Sequence, residues 1–153
     1  FYGLGRKLFT PFLSTNMINQ AQLVKPNEIP YIWVDVKPLI EKALVHANGE
    51  MLPEDVLKLL LENNEYLFIG YTNDEIQSAL VGEIITYPRK KTFRIITWST
   101  KSGHDYEAWI DLFDTIEYFA KNKGCDSIEA WTRKGLARKL KWDNEYSVIT
   151  KNI

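Results

Sequence analysis

The spacing of apolar residues changes several times along the chain, and each change marks an element. Gln20 to Lys25 (QAQLVK) predicts a first strand, closed by Pro26. From Glu28 to His46, Ile29, Ile32, Trp33, Val36, Ile40, Ala43 and Leu44 recur at helical steps. Pro30 suits the first turn of that helix, Pro38 predicts a kink or a split, and Gly49 ends it. Leu52 to Asn63 predicts a second helix, with Pro53, Glu54 and Asp55 in its first turn and Leu52, Val56, Leu59 and Leu60 on its apolar face.

Three strands follow with short connections, so the pattern predicts an antiparallel meander. They are Glu65 to Thr72 (EYLFIGYT), Ile76 to Tyr87 (IQSALVGEIITY) and Thr92 to Ser99 (TFRIITWS), joined by turns at residues 73–75 and 88–91. Gly82, inside the second of them, predicts a bulge or a close approach.

From Asp105 to Asn122 the helical period returns through Tyr106, Trp109, Ile110, Phe113, Ile116, Phe119 and Ala120. Gly124 supplies a left-handed stop. Ser127 to Trp131 then predicts a strand parallel to Thr92–Ser99, splayed from it at the carboxyl ends. The helix between them should bury Trp109, Ile110, Phe113 and Ile116. Arg133 to Trp142 predicts a short basic helix, and Tyr146 to Ile153 (YSVITKNI) a last strand that closes the sheet. The expected fold is a mixed α/β sheet with helices on both faces, covering residues 20–153 behind an arm at residues 1–19.

That arm differs from the rest. Phe1 to Ser14 (FYGLGRKLFTPFLS) is aromatic and basic, and it is broken by Gly3, Gly5 and Pro11. It is too interrupted for an independent helix. Two readings stay open: it lies on its own domain, or it docks on a partner or another subunit. Its two cations are a weak signal for a membrane surface. The docking reading assigns Phe1, Tyr2, Leu4, Arg6, Lys7, Leu8, Phe9 and Phe12 to partner binding. The chain starts at Phe1 without methionine, as a trimmed sequence would.

Composition narrows the function classes. The 153 residues are 45% hydrophobic and 25% charged, with a net charge of −1. This balance gives no electrostatic case for nucleic acid. No apolar run approaches the roughly 18 residues of a membrane span, and the amino end lacks the long apolar core of a signal peptide. A lone Cys125 excludes an internal disulfide. It follows a helix end, which does not activate a thiol. Two histidines and one cysteine without ligand spacing argue against zinc, so no metal is expected. Glu83 sits among apolar neighbours in a strand, where burial could tune a general base. An edge or solvent-facing glutamate is the plainer alternative. The basic run Arg133, Lys134, Arg138, Lys139 and Lys141 reads first as a solvated face.

The order of elements resembles the GNAT acyltransferase superfamily from about Gln20 to Ile153. The most specific local similarity is the end, where Gly124 is followed by IEAW, Arg133, Gly135 and LARKL. The resemblance implies a coenzyme pyrophosphate loop at the start of the central helix, written R/Q-x-x-G-x-G/A in the family. Here the matching loop is STKSGHDYE, from Ser99 to Glu107. It offers Lys101, Ser102, Gly103 and His104 to acetyl-coenzyme A, but it lacks the second glycine. Asp105 and Glu107 stand where phosphates would approach, each repulsion costing on the order of 1 kcal/mol. The family's general-acid tyrosine corresponds to Lys141, while Glu83 is the candidate base.

Within the superfamily, the YPRK turn, GCD-x-IE-x-W and R-x-G-x-ARxL resemble small GNAT-like proteins encoded among tailed-bacteriophage structural genes, of the internal virion protein A type. This resemblance implies a non-catalytic virion or morphogenesis component, made in the bacterial host cytoplasm. It would dock on other phage structural proteins or further copies of itself, and it would need no cofactor. The alternative is an acetyl-coenzyme A-dependent N-acetyltransferase with an atypical loop.

Overall fold

A computed structural model of the chain describes residues 20–47, 49–101, 112–131, 138, 140–145 and 148–153. The elements run β1 (Gln20–Val24), a short 3-10 turn (Pro26–Glu28), α1 (Ile29–Leu44), α2 (Pro53–Leu61), β2 (Tyr66–Thr72), β3 (Glu75–Tyr87), β4 (Lys90–Thr100), α3 (Leu112–Asn122) and β5 (Ser127–Ala130). They form one five-stranded sheet in the order β1-β2-β3-β4-β5. The first three pairings are antiparallel, and β4 pairs with β5 in parallel. The mixed sheet and the parallel strand–helix–strand unit follow the expectation from sequence.

Local chemistry explains most boundaries. Asp55 reaches back to accept a hydrogen bond from the Leu52 backbone N–H at 2.9 Å, capping α2. Asn73 and Asp74 both take positive φ, at 51° and 64°, which makes the two-residue turn between β2 and β3. Gly124, at φ +80°, ends α3 in the left-handed region.

Two expectations need correction. Pro38 does not split α1, which runs unbroken from Ile29 to Leu44. The carbonyl that Pro38 leaves without a helical donor belongs to Val34, which is 75% exposed, so water can satisfy it. The closing strand is also missing among the described residues: Val148 to Ile153 carry no strand pairing, and Val148, Ile149 and Ile153 are exposed. A terminal strand without a face to bury gains too little to offset its ordering entropy. Tyr146 and Ser147 lie outside the described residues, as do Asp105 to Ile110 of the expected helix and most of the basic helix.

The sheet separates two cores. Ile29, Ile32, Val36, Leu39, Ile40, Val56 and Leu60 pack from α1 and α2 onto Leu67, Ile69, Ala79 and Val81. On the other face, Leu112, Phe113, Ile116 and Ala120 of α3 cover Phe68, Leu80, Phe93 and Ile95. Phe113 and Ile116 were both expected there. Between them, Val81 pairs with Thr97 and Gly82 with Ile95, so Ile96 is an extra residue on β4. The bulge turns Ile96 towards the α1–α2 side while Ile95 stays beneath α3.

Gly82 stands opposite that bulge for a steric reason. A Cβ there would overlap the Phe93 ring and lie 2.9 Å from the Arg94 carbonyl oxygen. Gly82→Ala should therefore lower stability by about 1–3 kcal/mol through overpacking, read as a drop in the urea midpoint. An unchanged midpoint would show that Phe93 moves aside without cost.

Candidate functional site

Strand register assembles a row of four charged residues across the sheet. Tyr66 pairs with Gly82, so Glu65, one step further out, stands opposite Glu83. Glu83 pairs with Arg94, and Arg94 with Glu129. Alternation puts all four on the α1–α2 face, because their neighbours Tyr66, Phe93, Ile128 and Ala130 pack beneath α3. Three carboxylates thus flank one guanidinium.

Arg94 ties the outer half of the row together. Its Nε lies 3.0 Å from Glu129 Oε2. Its Nη2 donates to the Tyr87 hydroxyl at 3.0 Å, and its guanidinium sits 4.4 Å from the centre of the Trp131 ring. Tyr87 and Trp131 are 39% and 57% exposed, so they form an aromatic rim on an otherwise polar patch.

Glu65 closes the inner end and is the least ordinary residue in the row. It is only 2% exposed, and neither carboxylate oxygen has a hydrogen-bond partner among the described residues. Its backbone N–H donates to the Leu59 carbonyl at 3.2 Å, which fixes it against the end of α2. Burial, with the Glu83 carboxylate adding to it, pushes its carboxyl pKa up to about 7. The row therefore holds a carboxyl poised near neutrality beside a second carboxylate.

A different environment surrounds the end of β4. The β4–β5 pairing stops at Ile95 and Ala130, so β4 runs on beyond its partner. There the Trp98 indole N–H donates to Ser78 Oγ at 3.1 Å. Its ring meets Phe113 edge-on at 5.0 Å, and Phe113 meets Trp142 at 5.5 Å. Lys101 follows β4. Its backbone N–H donates to the Gln77 carbonyl at 2.7 Å, and its ammonium pairs with Glu75 at 2.9 Å.

The structure thus separates the sequence-derived candidates. Gln77 anchors Lys101, while Glu83 lies six residues along β3, about 20 Å away at strand rise. Ser102, Gly103 and His104 lie outside the described residues, and so do Phe1, Tyr2, Leu4, Arg6, Lys7, Leu8, Phe9 and Phe12 of the arm. Sequence reasoning singled out Glu83 from this row, but not Glu65, Arg94, Glu129 or their aromatic rim. One signal was available: Glu65, Leu67, Ile69 and Tyr71 share one alternation, which placed Glu65 on an apolar face. Burial also pushes the Cys125 thiol up, in keeping with a structural rather than a reactive cysteine.

Strand order, the parallel β4–β5 pair and the covering helices define the GNAT acetyltransferase fold, and solved structures bear this out. An aminoglycoside acetyltransferase from an uncultured soil metagenomic sample, in complex with sisomicin, superposes with a TM-score of 0.68 at 19% identity, over 89% of this chain and 95% of that one. A GNAT family acetyltransferase from Staphylococcus aureus gives 0.64 at 14% identity, over 90% and 100%. A predicted acetyltransferase from Clostridium acetobutylicum, solved with acetyl-CoA, gives 0.64 at 14% identity, over 88% and 96%. At these identities the likeness carries the fold and not the activity. No protein-family model matches the chain, and no curated protein sequence does. Among the described residues, no helix is long and apolar enough to cross a membrane.

Proposed function

We propose that this chain uses a GNAT fold as a docking module in a bacteriophage virion or its assembly, without catalytic turnover. The supporting observation is the engagement of Lys101. It is the cation expected to meet coenzyme phosphates, yet its ammonium is paired with Glu75 and its N–H continues the ladder to Gln77. The adjoining sequence offers Gly103 without a second glycine and places Asp105 and Glu107 where phosphates would approach. Residues that fit an acetyl-coenzyme A pyrophosphate are therefore few. Lys141, in place of the family's tyrosine, removes the expected general acid. The partners on this reading are other phage structural proteins and further copies of the chain, with the virion as location.

One observation favours the alternative, an acetyl-coenzyme A-dependent N-acetyltransferase. Glu65, poised near neutrality and opposite the half-buried Glu83, is suited to take on a proton that Glu83 accepts from an amine. Calorimetry with acetyl-coenzyme A separates the two readings. The docking reading expects a dissociation constant weaker than about 10 μM, which corresponds to roughly 7 kcal/mol. Tighter binding, improved further by Asp105→Asn, would promote the enzyme. Copurification with phage particles would support the docking role.

A further inference from the structure

The charged row is anionic and incompletely satisfied. Among the described residues, Glu65, Glu83 and Glu129 face a single Arg94, and the buried Glu65 carboxylate has no hydrogen-bond partner. Burial keeps an arriving side chain off Glu65 itself, so a docking cation is drawn by the net negative charge of the row and meets the half-buried Glu83 and Glu129. Beside it, Tyr87 and Trp131 expose aromatic surface. A complementary ligand would combine positive charge with apolar and aromatic side chains.

The chain itself contains such a segment. Phe1 to Asn19 carries Arg6 and Lys7 and no acidic residue, together with Phe1, Tyr2, Leu4, Leu8, Phe9, Phe12 and Leu13. We propose that the Glu65–Glu83–Arg94–Glu129 row is the seat of the amino-terminal arm of a second copy of this chain, with Arg6 and Lys7 directed at Glu83 and Glu129 and the arm's aromatic residues against Tyr87 and Trp131. The inference rests on the docking reading and names one partner for it.

The path of the chain favours a second copy over the same one. The described chain starts at Gln20 on β1, paired with Tyr71 of β2. Glu65 lies six residues from Tyr71 along β2, about 20 Å away, and Trp131 lies by the opposite edge strand, about 19 Å across the sheet. α1 and α2 cover the intervening face, so an arm folding back must travel around both helices. A second copy meets the exposed rim directly. Two copies exchanging arms make a closed, self-complementary pair with both rows filled.

Charge reversal in the full-length chain tests this. Light scattering should find a dimer at about 100 μM, where a 10 μM complex is mostly formed. Lys7→Glu and Glu83→Lys, each alone, should weaken the dimer at least tenfold while thermal melting stays cooperative. The double variant, Lys7→Glu with Glu83→Lys, should recover it, which damage to the fold would not do. A wild-type chain that is monomeric at every concentration overturns the proposal, as does a folded double variant that fails to recover. Monomeric wild type destabilised by Lys7→Glu would place the arm on its own domain and also overturn it. The two readings fail separately: particle incorporation that survives Glu83→Lys rejects this seat only, whereas tight coenzyme binding by an intact dimer rejects the docking reading only.

Discussion

Glu65→Gln should stabilise the protein by about 3 kcal/mol at pH 8 and leave it nearly unchanged at pH 4. The carboxyl rises from an ordinary value of 4.5 to about 7 in the folded chain, and each pH unit is worth about 1.4 kcal/mol. The sign follows from proton counting. Between those two values the folded state binds more protons at this site than the unfolded state, so stability falls as pH rises. The site's contribution is complete below pH 4.5, declines from there, and is lost as pH passes 7. Glutamine stays neutral throughout and escapes the loss. For a chain of this size the gain at pH 8 corresponds to roughly 6–12 °C in melting temperature. Melting curves for the two proteins at pH 4, 6 and 8 decide the matter. Curves that stay parallel over this range would mean that water or a shifted side chain satisfies Glu65 after all.

The cause of that shift can be divided by a second substitution. Burial is the larger contribution and the Glu83 carboxylate the smaller one. Glu83→Gln should therefore flatten the pH dependence only in part. The same ordering explains why Glu65, the more deeply placed of the two, carries the unusual proton. Like charges directly opposite on neighbouring strands destabilise a sheet. Protonating the inner member removes the conflict without moving either strand, and Arg94 lies across from the outer one.

How much of this was legible in the sequence depends on whether the signal was local. The helical stripes of α1, α2 and the described part of α3 and the turns at Asn73–Asp74 and Gly124 are written in neighbouring residues, and they fell where the pattern put them. The bulge beside Gly82 was readable because a glycine inside a strand rarely has another explanation. The reading of Pro38 went astray because the cost of a helical proline depends on whether the freed carbonyl meets water, and Val34, which lies off the apolar stripe of α1, was not weighed for it. The closing strand was overcalled for a related reason: alternation in YSVITKNI signals a surface that could be buried, not that one is available. The charged row was invisible for a third reason. Glu65, Glu83, Arg94 and Glu129 are far apart in sequence, and only the register of three separate pairings aligns them. A one-residue slip in any pairing would have turned one member to the other face.

Deleting Phe1–Ser14 should leave a folded domain that no longer associates. Among the described residues, both cores already fill from Ala21 onwards, with the deepest side chains, Phe68, Phe93, Ile29, Ile32 and Leu67, held between the sheet and its own helices. The domain's cooperative melt should therefore survive with a change of no more than about 1 kcal/mol, the scale of an ordinary surface change. The arm is different in kind. Its seven large apolar side chains would each contribute roughly 1.5–3 kcal/mol on burial, before the cost of ordering a segment that Gly3, Gly5 and Pro11 keep from forming a helix alone. The total, about 10–21 kcal/mol, exceeds the roughly 8 kcal/mol of a micromolar complex only if most of the arm is buried. Loss of the arm should thus abolish dimerisation in light scattering and incorporation into particles together. If the truncated chain instead melts many degrees lower while association is unaffected, the arm is part of this domain's own packing, and its aromatic residues are a missing wall of the core rather than a hand extended to another molecule.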